Sequence, residues 1–275
     1  MENKIDKKEA ALNDTAKNFF TGSVPQNYDT YMGPLLLRPY ALDIVSRIKA
    51  GGPVKVLELA AGTGQVTRYL VEALPEATIM ATDISEDMMA VGKQAIQSPN
   101  LVWQHVNMAS IPFEDDLFDL VICQFGLMFV PDKLAAMGQI RRVLKPGGQL
   151  LFNTWGPVEE NPIWHISMKL FTKTFGEALM PQAAGPFALT DTEQVLAFLA
   201  EAKFTNITAE MVYKTTQIER AEVAATGFVK TMPALKQNPG LYNQTLQALQ
   251  RELAKQLGEA PLRSQLLALV FEATK

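Results

Sequence analysis

Cysteine, histidine and positive charge are scarce in this chain, and each scarcity removes a class of function. Cys123 is the only cysteine among 275 residues. No internal disulfide can form, and nothing points to an oxidising compartment. Two histidines, His105 and His165, leave too few soft ligands for a structural zinc site, so no metal is expected. Lys and Arg number 25 against 29 Asp and Glu, a net charge of −4. A chain without a basic surplus suits a phosphate backbone poorly, and no nucleic-acid partner is expected. Long apolar runs are also missing. The longest stretch, residues 121–130, is about half of the ~20 residues a membrane helix needs, so no membrane span is expected. The first ten residues, MENKIDKKEA, are charged throughout, unlike a signal peptide. With 48% hydrophobic and 20% charged residues the composition is ordinary for a globular protein and excludes a mostly disordered chain. The length fits one large domain or one domain with an appendage, and the expected setting is soluble and cytoplasmic.

The segment up to about Gly22 is polar and Lys-rich and is expected to fray. Leu35, Leu36, Tyr40, Ile44, Val45 and Ile48 recur at helical spacing, which predicts a helix over 35–50, ended by Gly51, Gly52 and Pro53. Strand and helix patterns then alternate. Strands are expected over 54–59 (VKVLEL), 78–82 (TIMAT), 101–106, 118–123 (FDLVIC) and 149–154. Helices are expected over 65–73, 86–97 with Ser85 as N-cap, and 133–144. The remaining residues predict helices over 161–175, 192–202 (capped by Thr190 or Asp191), 219–230 and 241–257, and strands over 206–213 and 266–273. In the first of these helices Trp164, Met168, Phe171 and Phe175 form an apolar stripe. Near-continuous apolar strands alternating with helices argue for an α/β fold with a doubly wound, mostly parallel sheet covered on both faces. Ligands of such sheets bind beyond the C-terminal ends of the strands, just after Leu59, Thr82, Val106 and Cys123.

Chemistry concentrates at the first of these ends. VLELAAGTG, residues 56–64, is a strand with an acidic Glu58, turning through Ala60, Gly62 and Gly64 towards a helix. Glycines there admit a ligand close to the backbone, and a helix N-terminus offers unpaired N–H groups. The bland alternative is an ordinary strand-to-helix turn. Asp83 follows Gly64 by 19 residues at the end of the second strand, where a carboxylate can accept both hydroxyls of a ribose. Three features argue against a nicotinamide dinucleotide. The third glycine of G-x-G-x-x-G is absent, Glu58 places negative charge in the first strand, and no Tyr-x-x-x-Lys pair exists. A phosphate-cradling G-x-x-x-x-G-K-[ST] is absent too.

Four stretches, taken in order and spacing, carry a resemblance: VLELAAGTGQVT, ATDISEDMM, FDLVICQFGLMFVPD and VLKPGGQLLFNTW. Over about residues 28–155 the chain resembles the class I S-adenosylmethionine-dependent methyltransferases, in the branch related to ubiquinone/menaquinone-biosynthesis methyltransferases. That resemblance implies a Rossmann-like, seven-stranded sheet with helical N-terminal and C-terminal lid segments. It implies a lid segment over 1–50, an S-adenosylmethionine-binding core over 51–156, and lid helices plus last strands over 157–275. Ala60, Gly62 and Gly64 would hold the amino acid end of the cofactor, positioned by Glu58. Asp83 would hold the ribose, with Ile84 and Met88 against the adenine and Asn107 and Met108 at its edge. Gln124 and Phe125 would line the sulfonium side, and Tyr28 and Tyr31 would close over the cofactor. The chain departs from the family pattern twice. Ala60 stands where glycine is common, so its backbone is expected to keep a conformation alanine allows. Asn107 stands where aspartate is common, a weaker acceptor for the adenine amino group.

The implied reaction is methyl transfer to a small, partly apolar organic acceptor, by alignment and water exclusion more than acid–base chemistry. The acceptor is expected under a lid made from Tyr28–Leu37 and from segments after Trp155, where the aromatic stripe lies. The sequence nominates no general base with force. His165 is the candidate, against a solvent-facing reading set by its polar neighbours Lys169 and Thr172. His105 reads as a structural histidine and Cys123 as a buried strand residue. A homodimer is compatible with the chain. Two other classes stay open: a protein that binds S-adenosylmethionine without turnover, and a nicotinamide-dependent oxidoreductase.

Overall fold

Val56, Leu57 and Leu59 are fully buried in the strand Lys55–Leu59 (β1) because the sheet continues on both sides and helices cover both faces. The computed structural model describes residues 20–49, 51–52, 55–176, 185–232, 235 and 239–275; most of the segment expected to fray lies outside the described residues. β1 pairs in parallel with Thr78–Asp83 (β2) and Phe118–Gln124 (β4), β2 with Leu101–His105 (β3), and β4 with Leu144–Trp155 (β5). Thr205–Ile218 (β6) and Leu262–Thr274 (β7) complete a seven-stranded sheet of order β3-β2-β1-β4-β5-β7-β6, with β7 antiparallel to both neighbours. The doubly wound, mostly parallel sheet is the expected one. Strand order reverses at β1, between β2 and β4, and such a switch point opens a crevice at the strand ends.

Helices Thr67–Ala73 (α3), Glu86–Ala95 (α4), Lys133–Val143 (α5) and Thr192–Glu201 (α7) connect or flank the strands. Three of them start on a side-chain oxygen that accepts a backbone N–H: Ser85 for α4, Asp132 for α5 and Asp191 for α7. Pro162–Phe175 (α6), Ala221–Lys230 (α8) and Pro239–Leu257 (α9) pack beyond β5.

Several elements depart from the sequence expectation for identifiable reasons. The N-terminal helix starts earlier and stops sooner than 35–50. It runs as Val24–Asn27 (α1), a π-helical stretch Tyr28–Leu37 and Arg38–Ser46 (α2). Pro34 lies inside the π-helical stretch; a proline lacks the N–H that an α-turn needs, and wider turns occur where the regular ladder is interrupted. β3 is only half-buried, because it forms one edge of the sheet. In α6 the buried face is Ile163, Ile166, Ser167 and Phe171, rotated from the expected stripe. Trp164 stays partly exposed and packs edge-on to Trp155, Phe187 and Phe228. β6 and β7 are longer than expected because they pair with each other from Thr208–Glu272 to Ile218–Leu262.

Candidate functional site

Asp83 organises the crevice. Its Oδ2 accepts the Gly62 N–H and its Oδ1 the Ser85 N–H, both at 2.8 Å. The Ala61 N–H donates to the Thr82 carbonyl at 2.9 Å. These bonds pin the turn after β1 against the end of β2. Burial raises the Asp83 pKa, while the backbone donors of Ser85, Gly62 and Ile84 and the nearby His105 oppose the rise. His105 is exposed on β3, with Nε2 3.0 Å from the Ile84 carbonyl oxygen, a structural placement at the rim.

Glu58 lies one residue before the end of β1, flanked by Ala81 of β2 and Ile122 of β4. It is 2% exposed, and burial pushes its carboxyl up to about 8. The Thr67 hydroxyl donates to its Oε2 at 2.6 Å and opposes the shift, while nearby Asp83 adds to it. A carboxyl kept protonated by burial ionises readily once a cation arrives beside it.

One pocket gathers most of the residues singled out in the sequence. Tyr28, Glu58, Ala60, Gly62, Asp83, Ile84, Met88, Asn107, Met108, Gln124 and Phe125 all line it. Burial raises the Tyr28 phenol, which therefore stays neutral. Asn107 spends its side-chain oxygen on the Ala109 N–H at 3.0 Å. Two residues depart from unstrained backbone. Ala60 has φ +53° and Phe125 φ +52°. Alanine at position 60 thus occupies the left-handed region, against the expectation of a conformation that suits it. Phe125 is held there from several sides. Its N–H meets Asn153 Oδ1 at 3.0 Å, its ring stacks on Trp155 at 4.0 Å, and Tyr40 of α2 meets both rings edge-on. Strain retained beside a cleft is a common sign of a functional site.

Three sequence candidates lie elsewhere. Gly64 does not line the pocket. With φ +81°, a Cβ there would stand 2.4 Å from Ile96 Cδ1 and 3.1 Å from Trp103 Cη2, so this glycine serves packing. Tyr31 turns away. Its hydroxyl accepts from Lys230 Nζ at 3.1 Å, and the ammonium sits 4.9 Å above its ring. His165, on α6, is also outside the lining.

The pocket wall also holds residues that sequence reasoning missed. Gln65 is 5% exposed; its Nε2 donates to Asp29 Oδ1 at 2.6 Å, and its Oε1 has no partner. Gln124 Oε1 is likewise unpartnered. Phe20 and Leu37 join from the N-terminal segment and Phe129 from the loop after β4. Gln65 follows the Gly turn directly, a position the motif spacing could have flagged. Among the described residues nothing after Pro131 lines the pocket, so the expected contribution from segments after Trp155 is not seen at its wall. One such segment reaches its mouth, where a Cβ on Gly185 would stand 3.2 Å from the Phe129 ring. The lining carries two carboxyls, Glu58 and Asp83, and no Lys, Arg or His among the described residues.

Part of the chain is similar to known proteins. Residues 57–152 match the model of the methyltransferase domain family Methyltransf_11. The ubiquinone/menaquinone biosynthesis C-methyltransferase UbiE of Burkholderia cenocepacia (strain HI2424) is 32% identical over 148 residues, covering 50% of this chain and 61% of that protein. The chain therefore spans about three-fifths of the length of this curated relative. Among solved structures, phosphoethanolamine N-methyltransferase 2 of Haemonchus contortus, in complex with S-adenosyl-L-methionine, superimposes with a TM-score of 0.55 at 16% identity, covering 86% of this chain and 52% of that one. The YcgJ protein of Bacillus subtilis gives 0.54 at 19% identity, covering 86% and 98%. At these identities the structural likeness speaks for the Rossmann-like methyltransferase fold. Residues 57–152 match a methyltransferase domain, and across this part the chain is similar to methyltransferases of the UbiE type.

Proposed function

We propose that this chain is an S-adenosylmethionine-dependent methyltransferase acting on a small, partly apolar organic acceptor, with the pocket at the ends of β1, β2 and β4 as its cofactor site. One observation carries the reading. The pocket offers two carboxyls and two unpartnered amide oxygens, with no cation in its described lining. That donor-poor, acceptor-rich wall fits a ligand bearing ammonium, hydroxyl and sulfonium groups. A nicotinamide dinucleotide fits it less well, because the third glycine of the dinucleotide turn is absent and Gly64 serves packing.

S-adenosylmethionine, when bound, supplies a methyl group already activated on a sulfonium. The chain's own residues are left with binding, orientation and water exclusion. Asp83, with its Gly62 and Ser85 bonds made, keeps lone pairs for a ribose diol. Ile84 and Met88 flank the adenine, and Asn107 and Met108 meet its edge. Glu58 and Gln65 Oε1 accept from the ammonium, and the backbone of Ala60 and Gly62 receives the amino acid end. Gln124 and Phe125 line the sulfonium side. Tyr28 closes the wall from the N-terminal segment, with Phe20 and Leu37 beside it, over a core of 51–156. Gly64 and Tyr31 have no contact role here. His165 is not proposed as a base.

The supporting experiment incubates the purified protein with methyl-labelled S-adenosylmethionine and a metabolite extract. Label is expected in a small organic product. Label found only in RNA or protein would overturn the acceptor class. Binding with no transfer to any fraction would leave a cofactor-binding protein without turnover.

A further inference from the structure

Away from the pocket, β6 ends the sheet. Among the described residues its only strand neighbour is β7. The direction of its free main-chain groups follows from β7. Leu267 donates its N–H to Asn161 Oδ1 at 2.9 Å and accepts the Gly156 N–H at 3.0 Å, so its backbone faces the β5 side. Antiparallel ladders alternate, so Ala268 faces β6, where it pairs with Val212. Val212, Lys214 and Thr216 therefore spend their backbone groups on β7. Ala209, Met211, Tyr213 and Thr215 point theirs outward. The register runs unbroken from Thr208 to Ile218, with no proline to blunt this edge. Its large apolar side chains are uncovered: Met211 is 54% and Tyr213 49% exposed.

We propose that this edge is a self-association surface, on which β6 of a second copy adds antiparallel, about a two-fold axis through Val212, to continue the sheet. Residues whose outward groups bond must face each other, which restricts the axis to a few positions. An axis through Val212 sets Met211 opposite Tyr213 of the second copy, Glu210 opposite Lys214, and Ala209 opposite Thr215. Each apolar side chain gains an apolar neighbour and each charge an opposite one. An axis through Met211 instead sets Tyr213 against Ala209 and Lys214 against Thr208. One through Tyr213 sets Glu210 against Thr216 and Met211 against Thr215. Within one chain Glu210 already meets Arg47 at 2.8 Å and Lys214 meets Asp43 at 2.8 Å. The two-fold joins these pairs into alternating rows of charge across the seam. The charge and apolar complementarity of one strand with its own reverse commits the surface to a second copy.

Sedimentation velocity of the full chain at micromolar concentration, with dilution, tests this. A species of twice 30.3 kDa is expected. Thr215→Pro removes an outward N–H and no β7 bond, as edge strands tolerate, and is expected to give monomer that still melts cooperatively by circular dichroism, like the parent diluted to monomer. The double variant Met211→Lys with Tyr213→Lys sets like charges opposite each other twice and is expected to give monomer too. Met211→Cys with Tyr213→Cys is expected to oxidise to a covalent dimer, and Met211→Cys alone to remain uncross-linked. A parent chain that is monomeric throughout, a dimer that survives both disrupting variants, or cross-linking by Met211→Cys alone would overturn the proposal.

Discussion

Glu58→Gln probes the site most sharply, because it alters one proton and little shape. Glutamine keeps an acceptor for the Thr67 hydroxyl, which now donates to the carboxyl Oε2 at 2.6 Å. The ordinary glutamate value of 4.5 is raised to about 8 in the folded chain, chiefly by burial. The folded protein therefore holds a proton that the unfolded chain has lost between those values. Stability from this group is full below about 4.5 and is lost as pH rises through about 8, at up to about 1.4 kcal/mol per pH unit. The whole displacement corresponds to at most about 5 kcal/mol. Urea melts from pH 5 to 9 should show the parent losing stability relative to Glu58→Gln, with the variant the more stable of the two above pH 8. A bound ammonium reverses the preference. At pH 7 free Glu58 is mostly protonated, so binding S-adenosylmethionine should release more proton in the parent than in the variant. Titration calorimetry in buffers of different ionisation enthalpy measures that difference. Parallel stability profiles together with equal proton release in both proteins would refute the assignment of a buried, ligand-sensed carboxyl.

Asp83→Ala removes two acceptors for a ribose diol, each worth about 1.5–3 kcal/mol, and should weaken S-adenosylmethionine at least tenfold by calorimetry in a protein that still melts cooperatively. An unmoved affinity sinks the ribose role. Ala60→Gly relieves a left-handed alanine that costs about 1–2 kcal/mol, partly offset by glycine's added freedom in the unfolded chain. A gain of up to about 1 kcal/mol in urea denaturation is expected, and a loss would contradict the strain. Gly64→Val should destabilise by about 3 kcal/mol through overpacking against Ile96 and Trp103 and its φ, so a thermal melt equal to the parent's would disprove the packing role.

Much of the site was readable in the sequence because parallel sheets put function at strand ends. Once 54–59, 78–82 and 118–123 are recognised as strands, Glu58, Asp83 and Gln124 must stand near one crevice. Tertiary choices were harder to read. Gly64 looks like a ligand glycine in the motif, yet its neighbours Ile96 and Trp103 arrive from α4's end and from β3. Tyr31 lies three residues from Tyr28, but the π-helical turns set the two differently: Tyr28 meets the pocket and Tyr31 meets Lys230 of α8. In α6 the apolar residues spread over about two thirds of the helix circumference, so periodicity alone could not choose between Trp164 and Ile163 as the buried face. Gln65 carried only the signal of its place after the Gly turn; which way its side chain faces depends on Asp29, 36 residues earlier.

Equilibrium dialysis of the intact protein against labelled S-adenosylmethionine and, in parallel, labelled NAD bears most directly on the function of the pocket. Saturable binding of one S-adenosylmethionine per chain, with no retention of NAD, is expected from the Glu58 and Asp83 acceptors and from a Gly turn that lacks the dinucleotide's third glycine. Retention of NAD in preference, or no saturable binding of S-adenosylmethionine at all, would contradict it.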